Sequence, residues 1–159
     1  MARQIVLSLA VIVIGSVFGA NVYTSSVDAR NWGANIPSSL MTAREYFAVV
    51  NPGSFFRAVS PAAQLLALLA LIVCWKVPGA RLAAATALAL TVAGDVMTFA
   101  YFYPRNAIMF VNPMNATAAA EAWRGWSAMN HVRSALIFGA LGAELVALIR
   151  VAQLVAVAR

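Results

Sequence analysis

The sequence predicts an all-α fold: a bundle of four transmembrane helices, with short extra helices in its two long connections. Three observations predict it. The chain is 63% hydrophobic and only 10% charged over 159 residues, whereas a soluble domain is about half apolar and a quarter charged. So much apolar surface does not fit inside one small core. Four apolar runs, Ile5–Tyr23, Ala58–Trp75, Leu82–Phe102 and Val132–Val157, each come close to the roughly 20 residues that cross a bilayer core. None alternates with the period of two that a membrane barrel needs, so the backbone must satisfy itself within helices. The whole chain reads as one integral membrane domain with the lipid bilayer as its solvent.

The first run follows "MARQ" and stops at the polar "NVYTSSVD". With its small-residue "SVFGA" it also fits a cleaved secretory signal, a reading that the mass of the intact protein tests. The second opens at Ser60-Pro61, a favourable helix start. Only "KVPGAR" separates it from the third, which thickens into aromatics and meets Pro104, a residue expected to break it. The fourth is preceded by "NATAAAEAWRGW", which reads as a helix running into the span. In the other long connection, "PSSLMTAREYFAVV" offers Ser39 and Thr42 as caps, with Glu45 in capping-box spacing after Thr42. Leu40, Phe47 and Val50 share a helical face there, and Asn51-Pro52-Gly53 is a stop signal. Such helices either cap the bundle or lie flat on the lipid.

The chain also carries a faint repeat. Each half reads apolar span, Arg-Asn, Asn-Pro, second span, pairing Arg30-Asn31 with Arg105-Asn106 and Asn51-Pro52 with Asn112-Pro113. An even number of spans puts both termini on one side with the short turn. That side holds Arg3, Lys76, Arg81, Arg150 and Arg159 without acids outside the spans, so the positive-inside rule makes it cytoplasmic, in an inner or cytoplasmic membrane. The long connections carry arginines as well, mixed with Asp28, Glu45 and Glu121.

The net charge of +6 does not point to nucleic acid, because the basic residues flank apolar segments and form no run or recognition motif. The single cysteine, Cys74, makes no internal disulfide, redox pair or cysteine-rich zinc site, and reads as a small buried hydrophobe. With one histidine, His131, a monomer offers no bis-histidine haem ligation, and no metal site is expected.

Polar residues within apolar spans must face the bundle interior, pair or neutralise. Asp95 lies in the third span and Glu144 in the fourth. Asp95, Thr98 and Phe102 share one helical face; Asn130, Arg133, Ile137 and Glu144 share another, with His131 about 100° away. Asn21, Tyr23, Asp28, Arg105, Asn106, Asn130, His131 and Arg133 thus gather in the outer half beside Tyr101, Phe102, Tyr103 and Trp126. Apolar walls with a few polar groups describe a pocket for a hydrophobic small molecule. The plainer alternative is an internal ion-pair network, with arginines snorkelling to headgroups and an interfacial aromatic belt. On the pocket reading, Arg105 and Arg133 share one cavity with Asp28 between them as the acid, and Arg44 lies apart.

The peptides "GANVYTSSVDARNW", "YFYPRNAIMF" and "WSAMNHVRS" resemble the anthrone oxygenase-like family of small four-span membrane proteins, in order and spacing across most of the chain. Characterised relatives in fungal polyketide pathways oxidise an anthrone to an anthraquinone with O₂, without metal or flavin. The resemblance implies a cofactor-independent oxygenase acting on a planar phenol, anthrone or quinol. It assigns Asn21, Tyr23, Tyr103, Pro104, Arg105, Asn106, Trp126, Asn130, His131 and Arg133. In that chemistry His131 or Asp95 removes the proton, and Arg105, Arg133 and Asn106 stabilise the anion. Asn21, Tyr23, Tyr101, Tyr103, Trp126 and Asn130 bind the substrate. The competing class is a non-catalytic lipid or quinone binder, partner subunit or small transporter, which the repeat and the intramembrane carboxylates favour. The sequence does not fix the substrate or the oligomeric state.

Overall fold

The computed structural model describes residues 2–157, and these form helices and connecting turns with no strand. Helix α1 (Ala2–Tyr23) passes through a π-helical turn (Thr24–Asp28) into α2 (Ala29–Gly33). After α3 (Ser38–Tyr46) and α4 (Pro52–Val73), α5 (Pro78–Met97) passes through a second π turn (Thr98–Phe102) into α6 (Tyr103–Met109). The last helix, α7, runs from Ala116 to Val157. Four of the resulting helical stretches are long and apolar enough to cross a membrane, and the chain is a multi-pass helical bundle.

The bundle is a ring in which α1 packs on α4, α4 on α5, α5 on α7 and α7 back on α1. Successive spanning helices run in opposite directions, so the start of α1 and the end of α7 share one face. Small residues line the contacts and bring the backbones close. Near the termini face, Ala70, Ala80, Ala84 and Ala147 pack with Leu7, Cys74 and Val151. In the middle, Ile14, Val17, Ala63, Ile137 and Ala140 form a second cluster. At the far end the core turns aromatic, with Trp32, Phe102 and Trp126 beside Leu40 and Met109. Ile12, Leu65, Leu82, Val96, Phe99 and Phe138 are exposed around the ring, an apolar surface that suits lipid.

The expected spans are present but longer, and several boundaries differ. Helix α4 begins at Pro52, with Asn51 as its extended N-cap residue, and Pro61 lies inside it. Proline at the first turn costs no hydrogen bond, so Asn51-Pro52 starts a helix instead of stopping one. Pro104 does not break the third span, because the helix continues to Met109. The π turn just before it widens the ladder where the ring would otherwise meet the carbonyl four residues back. Thr42 caps nothing, since α3 already starts at Ser38. Ser39 does the tying there: its Oγ donates to the Trp32 carbonyl at 2.5 Å and accepts from the Asn35 N–H. Leu40 is buried and Phe47 half-buried, but Val50 is exposed. Helix α3 therefore caps the bundle. The helix expected before the fourth span is continuous with it in α7, and Asn115 Oδ1 caps it by accepting from Ala118 N–H at 3.0 Å.

The two halves share a plan, with a different pairing from the one expected. The stretches Ala2–Gly33 and Pro78–Met109 are both 32 residues long, and both contain a π turn opened by a threonine. Thr24 Oγ1 donates to the Ala20 carbonyl and Thr98 Oγ1 to the Gly94 carbonyl, both at 2.9 Å. Pro37 and Pro113 stand equally far beyond the ends of α2 and α6, so the counterpart of Pro113 is Pro37; Pro52 instead starts α4.

Candidate functional site

The π turns put the site where it is. A threonine bonding back to the carbonyl four residues earlier loosens the local ladder, and π turns inside α-helices recur at functional sites. The first turn offers Ser25, whose Oγ donates to the Asn21 carbonyl and accepts from Asn130 Nδ2 at 2.6 Å. The second offers Thr98. On α7, Asn130 Oδ1 accepts from Arg133 Nη2 at 2.5 Å, and Arg133 Nη1 donates to Thr98 Oγ1 at 3.3 Å. Both π turns and one turn of α7 thus hold a single guanidinium.

Arg133 is 7% exposed and sits among rings, 4.1 Å from the centroid of Phe102, 5.5 Å from Phe56 and 6.0 Å from Trp126. These quadrupoles favour the cation and replace part of its lost hydration. Its Nε and the indole N–H of Trp126 are buried without a partner among the described residues. A buried donor left unpaired is costly, about 1–3 kcal/mol, and the two residues that carry these donors line one space.

That space is a cavity of about 320 Å³. Trp32, Phe47, Phe56, Phe102, Phe110 and Trp126 give it aromatic walls, and Thr98, Asn106, Arg133 and Tyr103 give it polar points. The exposed residues Arg44, Asn51 and Arg57 edge its open side. A second cavity of about 120 Å³ adjoins it, sharing Phe56, Arg57, Thr98, Tyr103 and Arg133. Asn21, Ser60 and Asp95 line this inner chamber. A small void of about 10 Å³ lies beyond it, where Ile14, Val17, Ala63 and Ile137 meet Ser60, Gln64, Thr91 and Asp95. The Asp95 carboxylate is oriented by Gln64, whose Nε2 donates to Oδ2 at 2.6 Å. The chambers therefore narrow from an aromatic vestibule to a carboxylate.

Among the sequence-expected residues, Trp126, Tyr103, Asn106 and Arg133 line the larger cavity, and Asn21 and Asp95 line the smaller one. Asn130 is fully buried and lines neither; it positions Arg133. Arg105 lines neither of the two cavities that Arg133 lines. Its guanidinium stacks 3.4 Å from the Tyr101 ring centroid, and Nη1 donates to the Tyr101 carbonyl at 3.3 Å. Gly125 of α7 leaves room for this pair, since a Cβ there would come within 3.0 Å of Arg105 Nε and 2.9 Å of Tyr101 Oη. Adjacent helical residues point about 100° apart, so Arg105 faces α7 while Asn106 faces the cavity. Tyr101 is occupied by Arg105 and lines neither chamber.

Tyr23 is 59% exposed and His131 is exposed as well, and neither lines a chamber. Each is one or two residues from a buried asparagine, and helical rotation turns it outward. Asp28 does not bridge the two arginines, being absent from both linings. Arg44, expected to lie apart, edges the larger cavity. Arg57, Phe56, Trp32 and Ser25 were missed. One signal was available in the sequence: Ser54 and Arg57 repeat the spacing of Asn130 and Arg133.

Glu144 lies elsewhere in the bundle, fully buried, with neither oxygen partnered among the described residues. Among the described residues no three of His, Cys, Asp and Glu gather where a metal ion could be held. Comparison with protein-family models, curated proteins and solved structures finds no match.

Proposed function

We propose that the chain is a membrane-embedded, anthrone oxygenase-like enzyme that oxidises a planar phenol, anthrone or quinol with O₂. The observation that carries this reading is the buried Arg133 in a chamber walled by aromatic rings, Trp126 among them. A flat ring system suits walls made of Trp32, Phe102, Phe110 and Trp126. A chamber of about 320 Å³ also falls within the range of small-molecule sites, roughly 300–1,000 Å³.

The chemistry uses groups already in place. A CH₂ flanked by aromatic rings and conjugated to a carbonyl loses a proton to Asp95, the carboxylate of the inner chamber. The negative charge moves to the carbonyl oxygen, where the Arg133 guanidinium stabilises it. The electron-rich anion combines with O₂, and the resulting hydroperoxide loses water. The CH₂ becomes C=O, with one O₂ consumed and one H₂O released. In this reading Asp95 is the base, supported by its place in the inner chamber and by the exposure of His131. Both termini face the cytoplasm in this reading, on the strength of Arg3, Lys76, Arg81 and Arg150 at the termini face.

The test is oxygen consumption and quinone absorbance on purified protein supplied with anthrone and a panel of hydroquinones. The wild type raises the rate above buffer. Asp95→Asn and Arg133→Gln each lower it about 100-fold or more, the lower range for losing a positioned base or an oxyanion donor. No acceleration across the panel overturns the enzymatic reading. The second reading is a non-catalytic binder or small transporter, favoured by the matched plan of the two halves and by the buried Glu144. A ligand that co-purifies unchanged supports it.

A further inference from the structure

The larger cavity is more cationic than a neutral ring system needs. Arg44, Arg57 and Arg133 all line it, and no carboxylate does among the described residues. Asp95, in the adjoining chamber, offsets one of the three positive charges. Arg57 is held by Ser54, with Nη2 donating to Oγ at 3.0 Å. This is the same one-turn tether that Asn130 gives Arg133, so each half of the chain delivers one fixed guanidinium to the cavity. The opening residues of α4, Asn51, Pro52 and Gly53, also line it, which brings the positive end of a 22-residue helix to the same edge. Guanidinium groups facing one space repel unless an anion lies between them.

We propose that the ligand is an aromatic amphiphile with an acidic oxygen substituent, its rings against Trp126 and Phe102 and its anionic group at the mouth between Arg44 and Arg57. The proposal rests on reading the cavity as a site for a planar ligand, and it adds the charge. Arg133 meets the ring oxygen inside. Arg44, Arg57 and the start of α4 meet a carboxylate-like group at the mouth. Guanidinium matches a planar oxyacid with two parallel N–H donors, so the mouth selects for charge and geometry together.

The experiment is a binding titration in a neutral detergent, followed by tryptophan fluorescence, with anthracene-2-carboxylate and its uncharged isostere anthracene-2-carboxamide. The carboxylate binds at least about tenfold more tightly, equivalent to about 1.4 kcal/mol. In the double variant Arg44→Gln/Arg57→Gln its affinity falls to that of the carboxamide, whose own affinity does not change. Equal affinities in the wild type overturn the proposal, as does a preference that survives in the double variant. A third arm uses short-chain phosphatidic acid. If it binds through Arg44 and Arg57 while the anthracene acid does not, the mouth holds a lipid headgroup and the proposal falls. Oxidation of unsubstituted anthrone is measured in parallel. Turnover without the charge preference leaves the enzymatic reading standing and removes this one; the preference without turnover does the reverse.

Discussion

Arg133 is the residue on which the site turns, and what fixes it is a side chain that meets no cavity. Asn130 accepts from Arg133 and donates to Ser25, coupling α7 to the first π turn. Asn130→Ala removes both bonds and leaves a buried charge less satisfied. It should lower the unfolding free energy in detergent by about 1–3 kcal/mol and weaken ring binding together with it. His131→Ala, one residue on and exposed, should change stability by less than about 0.5 kcal/mol and leave oxidation unaltered. Thermal melts and turnover of the pair give the contrast, and a large loss at His131 with none at Asn130 would reverse the assignment. The difference was already readable in the sequence. Asn130 and Arg133 are one turn apart, and His131 falls off their face by simple rotation. Tyr23 follows the same rule: it is close to the buried Asn21 along the chain but points elsewhere around the helix.

At the scale of elements, the π turns and close helix contacts build the cavity, and these were the least legible features. Hydropathy reports that a segment is helical; it does not report a ladder widened at Thr24 or Thr98, because the same apolar residues suit either geometry. Pro104 was a visible clue, read as a break when it marked a wide turn. Contact between α2 and α7 depends on Gly33. A Cβ there would overlap the Trp123 ring, and the Trp123 indole N–H is committed to the Ala29 carbonyl at 2.8 Å. A rigid indole held at both ends cannot yield to a methyl group. Gly33→Ala should therefore destabilise the far end by about 1–3 kcal/mol, the usual cost of overpacking, although alanine is the better helix former. A rise in melting temperature on that substitution would contradict the packing described. By contrast, the four spans, the short turn and the continuity of α7 followed directly from run length and capping, because lipid leaves the backbone no alternative to a helix.

At the scale of the whole molecule, two similar halves close into one ring. Their counterparts are the 32-residue stretches, the threonine-opened π turns and the tethered arginines. The match is imperfect where it matters. Asn21 of α1 stands where α5 has Asp95, counting from Thr24 and Thr98, so only one half supplies a carboxylate to the inner chamber. The other half supplies a neutral amide. A symmetric frame with one acid gives a single proton acceptor where strict duplication would give two repelling ones. The repeat was legible as matching dipeptides, but its register was not, because Asn-Pro at a helix start and Asn-Pro in a loop look alike in sequence.

The length of α7 has a consequence for where the protein meets its surroundings. Its 42 residues extend about 63 Å at 1.5 Å each, about twice the roughly 30 Å of hydrocarbon in a bilayer. Counted from Arg150 and Arg81 at the termini face, that thickness runs out near Asn130 on α7 and near Tyr101 on α5. On this count the remaining third, with Trp32, α3 and α6, is expected to stand above the lipid as a turret. The mouth between Arg44 and Arg57 then opens at headgroup height, where a flat amphiphile partitions with its rings in oil and its charge in water. In a Cys74→Ala background, a cysteine at the exposed Ala118 should react with a membrane-impermeant maleimide in intact vesicles of the right orientation. One at Val146, exposed on the belt, should react only after detergent. Equal protection of both sites would mean that the turret is sunk in the membrane and that the ligand must cross lipid to arrive.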